Sequence, residues 1–218
     1  MAKQFELLVF DWDGTLMDSA AAIVEAIQAA CRDLDLPLPS DEQARHVIGL
    51  GLTDAMRHAV PHLSEASYPL MVERYRHHYL SRDHELRLFD GVSTLMPELL
   101  EAGHLLAVAT GKSRMGLNRA LKVSGLEALF HDSRCADECF SKPHPQMLEE
   151  LMEAFGVEPS RTLMIGDTTH DLKMASNAGV ASLAVDYGAH PPAELDACSP
   201  LARLSNVTEL RKWLIANA

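Results

Sequence analysis

Asp11 and Asp13 close the run LLVFDWDGT with only Trp12 between them. Carboxylates this near repel one another, so the pair needs a counter-ion, a proton or an exposed position. A second acidic pair, Asp167 and Asp171, lies in IGDTTHD. Thr110 and Gly111 end the apolar run HLLAVA, and Lys142 lies in SKPHP. Each has an ordinary reading when taken singly. Asp13-Gly14 suits a turn, Thr110 a helix cap, Lys142 the surface, and Asp167 and Asp171 the first turn of a helix. Their shared position beyond apolar runs is harder to explain as packing.

The elements that would carry them are legible. FELLVF (5–10) reads as a buried strand stopped by a turn signal. From Ala20 the pattern turns helical up to Pro37. Ser40 opens a second helix with Asp41 and Glu42 in its first turn. IGLGL (48–52) is a break, and Thr53 to Val60 and Tyr68 to Ser81 read as further helices. No strand signal falls between about 20 and 85. Strands and helices then alternate. HLLAVAT, a weaker segment near 130–135, TLMIGD and VASLAVD are the strands, and 187–206 is turn-rich and unassigned. Such alternation predicts a doubly wound, mainly parallel α/β sheet of Rossmann-like type with an all-α insertion after its first strand. Ligands of such sheets bind beyond the carboxyl ends of the strands, where Asp11, Asp13, Thr110 and Asp167 would converge and Lys142 could join them.

Composition narrows the classes. The chain has 218 residues, 47% of them hydrophobic, enough for a well-buried core. A formal charge of −12 argues against nucleic acid and would repel an anionic substrate unless a local cation intervened. The N-terminal apolar run is too short for a signal peptide, and no stretch approaches the roughly 18 apolar residues of a membrane span. The expectation is a soluble cytoplasmic protein, monomer or dimer. Cys31, Cys135, Cys139 and Cys198 lack zinc-finger spacing and are expected to be reduced thiols. The eleven histidines are expected at the surface or in caps.

DWDGTLMDS (11–19), ATGKS (109–113), SKPHP (141–145) and IGDTTHD (165–171) fill, in order, four motifs of the haloacid dehalogenase-like hydrolases. The chain resembles that family over nearly its whole length, and most resembles its phosphoglycolate-phosphatase-like branch. Two departures are visible: Trp12 stands where an aliphatic residue is usual, and Gly111 where that branch more often has asparagine. The resemblance implies an α/β core of residues 1–17 and 86–218 and a helical cap of 18–85. It implies Asp11 as the nucleophile that forms an aspartyl-phosphate, and Asp13 as the acid and base. Magnesium would be held by Asp11, the backbone carbonyl of Asp13, and Asp167, with Asp171 behind them or ligating through water. Thr110, the Gly111 amide and Lys142 would bind the phosphoryl group. The glycine loop 49–52, with Arg45 and Arg57 nearby, either faces the leaving group or is a simple turn between helices with glycines as breakers.

The implied activity is magnesium-dependent hydrolysis of a small phosphate monoester, with phosphoglycolate a candidate. A phosphomutase of the β-phosphoglucomutase type shares the same intermediate. A dehalogenase is disfavoured because carbon–halogen cleavage has no alkoxide for Asp13 to protonate. A phosphorylated receiver module would be shorter and lack the helical insertion.

Overall fold

The computed structural model describes residues 4–218. Strand β1 (Leu7–Phe10) leads into a two-residue strand β2 (Met17–Asp18). Four helices follow, α1 (Ala20–Asp33), α2 (Asp41–His46), α3 (Leu52–Ala59) and α4 (Tyr68–Arg82), and the chain returns through β3 (Arg87–Leu88). β2 and β3 pair antiparallel, so departure and return run side by side. Then come α5 (Val92–Glu101), β4 (Leu105–Thr110), α6 (Arg114–Ser124), β5 (Asp132–Cys135), α7 (Gln146–Phe155), β6 (Thr162–Gly166), α8 (Thr169–Asn177), β7 (Ala181–Val185), α9 (Pro192–Asp196), β8 (Arg203–Leu204) and α10 (Val207–Asn217).

The main sheet has the order β5-β4-β1-β6-β7-β8 with parallel pairing throughout. Side chains alternate across it. Leu8 and Phe10 join an apolar cluster with Leu95 and Met96 of α5, Leu117 of α6 and Leu210 of α10. Leu7 and Val9 pack on the other face with Leu148 and Leu151 of α7 and Met174 of α8. Helices on both faces explain why the strands read as continuous apolar runs. The four helices between β2 and β3 have a cluster of their own, with Ile27, Cys31, Ile48, Met56 and Met71 among its members. Among the described residues no helix is long and apolar enough to cross a membrane.

Three local expectations need correction. Helix α1 ends at Asp33 rather than running to Pro37, because Asp35 turns left-handed (φ 51°) and the Leu36 amide donates back to the Cys31 carbonyl. Leu34 and Leu36 thereby fold onto the helical block's cluster. The unassigned stretch 187–206 contains α9 and the edge strand β8, which is too short to show a period. Two histidines are core residues rather than surface ones: His104 and His190 are 6% and 2% exposed. Helix α2 does start as expected, with a reciprocal cap between Ser40 and Gln43.

Candidate active site

The site forms beyond the carboxyl ends of β1, β4 and β6. Asp11 follows β1 and donates its amide to the Ile165 carbonyl of β6 at 2.9 Å. The chain then turns through Gly14, whose φ of +84° favours glycine. Space also demands it, since a Cβ there would stand 2.1 Å from Asp167 Oδ2. This turn lets Thr15 Oγ1 donate to Asp167 Oδ1 at 2.8 Å, while the Ala189 amide donates to Asp167 Oδ2 at 2.8 Å.

Lys142 is fully buried, and its Nζ lies 2.6 Å from both Asp11 Oδ1 and Asp171 Oδ1. Burial alone would lower the ammonium's pKa, but Asp11 and Asp171 hold it above its ordinary value. Asp171 serves the helix as well, because its Oδ2 accepts from the Thr168 amide and hydroxyl in the reciprocal cap of α8. One oxygen of Asp171 thus caps α8 and the other meets Lys142.

The second oxygen of Asp11 differs. Asp11 Oδ2 is buried and has no hydrogen-bond partner. Burial pushes the Asp11 carboxyl well above the usual range, and nearby Asp171 and Asp167 add to this against the pull of Lys142. Burial, then Asp171, pushes Asp167 up to about 7. Asp11, Asp167 and Asp171 each offer an oxygen within 4.8 Å of the others. Among the described residues, Asp11, Asp13, Asp167 and Asp171 face two ammoniums, those of the buried Lys142 and the half-buried Lys112, which leaves a formal excess of two negative charges. A divalent cation with oxygen ligands fits this set in charge, donor type and spacing.

Asp13 is held through both oxygens. Ser19 Oγ donates to Oδ1 at 2.6 Å, and Lys112 Nζ stands 3.0 Å from Oδ2. Lys112 also donates to the Tyr79 hydroxyl of α4 at 3.0 Å. Burial would lower its pKa, but Asp13 first and Tyr79 next raise it above the ordinary value. Sequence reasoning missed Lys112, although it lies inside ATGKS. Thr110 is buried at the end of β4, and its Oγ1 accepts from the Lys112 amide at 3.2 Å. It does not cap α6; Ser113 does, accepting from the Gly116 amide.

The glycine loop after α2 closes over this face. A Cβ on Gly111 would lie 2.4 Å from the Leu50 carbonyl oxygen and 2.6 Å from that of Gly49, so the loop sits where an asparagine side chain would have to go. The Gly51 amide donates to Ser141 Oγ at 2.8 Å, beside Lys142. The loop is thus more than a breaker between helices. Arg45 and Arg57 are not brought to the carboxylates by any described contact; Arg57 pairs with Glu65 and Asp54.

A histidine cluster forms a second seam between block and core. His46 of α2 stacks on His190 with centroids 4.7 Å apart, and His170 packs edge-on to both. His46, His190 and Glu194 are close enough to hold a metal, but the hydrogen bonds oppose it. His190 Nδ1 accepts from the Thr169 amide, which puts the proton of the neutral ring on Nε2, facing the His46 carbonyl. Ligation through Nε2 would turn an N–H on Nδ1 against the amide N–H.

Comparison with known proteins identifies the family. The family model described as haloacid dehalogenase-like hydrolase matches residues 8–185. The chain belongs to that family. A probable phosphatase, IndB, of Dickeya dadantii is 35% identical over 94% of this chain and 91% of its own length. A phosphoglycolate phosphatase of Vibrio parahaemolyticus is 30% identical over 99% of both chains. The crystal structure of a predicted phosphoglycolate phosphatase from Haemophilus somnus superposes with a TM-score of 0.87 at 26% identity, covering 97% of this chain and 99% of that one. Within the family, the chain falls in the phosphoglycolate-phosphatase-like branch.

Proposed function

We propose that the protein is a magnesium-dependent phosphatase that hydrolyses a small phosphate monoester through an aspartyl-phosphate on Asp11, with phosphoglycolate the first candidate substrate. The observation that carries this reading is Asp11 itself. One oxygen is pinned by a buried lysine, and the other is buried and unpartnered. A carboxylate oxygen in that state is costly unless a cation or an electrophile meets it.

Asp11 Oδ2 attacks phosphorus in line, and the bond from phosphorus to the ester oxygen breaks. Asp13, as the carboxylic acid, gives its proton to the departing alkoxide. The resulting Asp13 carboxylate then takes a proton from water as the water oxygen bonds to phosphorus. The bond from Asp11 to phosphorus breaks, releasing inorganic phosphate and restoring Asp11. Lys142 keeps Asp11 oriented and offsets charge on the phosphoryl oxygens. Thr110 and the Gly111 amide hold those oxygens beside the start of α6. Magnesium, held by Asp11, Asp167 and the Asp13 carbonyl with Asp171 behind them, would neutralise charge between the anionic nucleophile and the anionic ester. The helical block, residues 18–85, acts as the cap that excludes bulk water, its glycine loop pressed on Gly111.

The test is phosphate release from phosphoglycolate, hexose phosphates, nucleoside monophosphates and an aryl phosphate, with and without magnesium, for wild type and Asp11→Asn. The expected result is metal-dependent release that drops at least about a thousandfold in the variant. Equal release by both proteins would refute Asp11 as the nucleophile. Transfer of phosphate between positions of a hexose, without release, would identify a mutase.

A further inference from the structure

We propose that Tyr79 and Lys112 are positioning residues that make proton transfer by Asp13 conditional on the seating of the helical block. The proposal rests on the phosphatase reading above. It starts from how Lys112 is anchored. Its backbone belongs to the core: the Lys112 amide donates to Thr110 Oγ1 and its carbonyl accepts from the Ala136 amide at 3.0 Å. Its side-chain end belongs to the block, where Nζ meets the Tyr79 hydroxyl and lies 4.9 Å from the centroid of that ring. Tyr79 in turn stacks on Tyr75, one turn earlier in α4, with centroids 5.7 Å apart and planes 18° from parallel. Burial raises the Tyr79 pKa, so the hydroxyl stays neutral and can accept from the ammonium.

A lysine is a compact charge on a flexible stem, and its donors point only where partners hold them. Here the partners are one aspartate of the core and one tyrosine of the block. The other oxygen of Asp13 is held by Ser19, the residue immediately before α1. Both oxygens of Asp13 are therefore aligned by groups tied to the block, one at its first helix and one through α4. Lifting α4 removes Tyr79, frees the Lys112 stem and slackens Asp13. Seating it restores the alignment at the moment water is excluded. An acid that works only at hydrogen-bond distance from the leaving oxygen is sensitive to such slack. The block would thus act on the chemistry as well as on access.

The test compares leaving groups. An alkyl phosphate needs a proton on its departing oxygen, whereas a nitrophenyl phosphate expels a stable phenolate with little need of one. Phosphoenzyme formation is measured in single turnovers with magnesium for wild type, Tyr79→Phe, Lys112→Met and Lys112→Arg. Tyr79→Phe keeps the ring and its stack on Tyr75 and loses only the hydroxyl. The ratio of alkyl to aryl rate is expected to fall about tenfold in Tyr79→Phe and about a hundredfold in Lys112→Met, within the range general acids contribute. Lys112→Arg should recover part of the ratio, and KM for the alkyl ester should stay within about threefold of wild type. An equal fall for both esters would mean the residues only pack the block, and an unchanged ratio would mean Asp13 needs neither; either overturns the proposal. If Lys112→Met fails to fold by its melting curve, Tyr79→Phe decides alone. No phosphoenzyme from either ester in wild type would instead sink the phosphatase reading.

Discussion

All four residues of β1 are inaccessible to solvent, and the strands on both sides of it are nearly as dry. Helix α4 spans fifteen residues and buries only Tyr68 and Met71. Its flank is laced by exposed ion pairs, Arg82 with Glu25 and Glu85 and, nearby, Arg57 with Glu65. Exposed pairs contribute little to stability. Two regions of one chain thus differ in how tightly they are fixed, and the difference suits their tasks. The buried carboxylates need a rigid frame, while the helical block, if it caps the site as proposed, must open at a modest free-energy cost.

The strongest way to break this comparison is at the core's charges. Lys142→Met strands Asp11 and Asp171 in a buried site, and the expected loss is about 3–5 kcal/mol of global stability in urea denaturation. A loss below about 1 kcal/mol would show that the core does not depend on its cation. Next comes packing. Leu163→Ala in β6 should cost about 2–5 kcal/mol and lower hydrogen-exchange protection across the whole sheet. Met71→Ala in α4 should instead speed exchange in α1 and α4 while the protection of β1 and β6 stays near wild type. Uniform loss in both variants would make core and block a single cooperative unit.

The smallest effect concerns pH. In metal-free protein Asp167 is raised from 3.8 to about 7, chiefly by burial. The folded state then binds a proton that the unfolded chain has released, so stability falls as pH rises through that window. Exposed carboxylates that arginines hold low, such as Glu98 beside Arg211, act in the opposite sense, but they are ionised in both states above about pH 5. Burial holds the imidazoles of His190 and His170 below their ordinary values, which raises stability with pH up to about 6.5 and offsets Asp167 there. The melting temperature of protein treated with a chelator should therefore decline between about pH 6.5 and 7.5, and magnesium at pH 7.5 should reverse the decline. A flat profile would mean the buried carboxylates are already balanced.

The strands and most helices were readable because their signals are local: apolar runs stopped by Asp11, Thr110 and Asp167, and a cap at Ser40. The partners of Lys112 are not local. Asp13 and Tyr79 come from a different strand end and from the helical block, and nothing within ATGKS says that this lysine meets them. Lys142 taken singly reads as a surface residue for the same reason, and its buried partners Asp11 and Asp171 lie far away in the chain. The lack of a side chain at position 111 was visible as a departure from the family pattern. Its cause, the carbonyls of Gly49 and Leu50, lies in packing that no window of sequence contains. His190 was misjudged because a histidine's burial depends on the Thr169 amide and the His46 carbonyl that meet it.

Strand order also bears on how the molecule is made. β1 is synthesised before both strands that flank it, since Leu7 pairs with Leu105 on one side and Thr162 on the other. The helices of the block, contiguous in the chain, can gather around their own cluster while β1 still waits with both edges open. Distant parallel pairings form slowly, and unpaired apolar edges invite association with other chains. The hold on Asp167 is complete only once Ala189 has been added, because its amide donates to Oδ2. Synthesis thus completes the helical block before the acidic cluster, and yield at high expression temperature should be limited by how long β1 remains unpartnered.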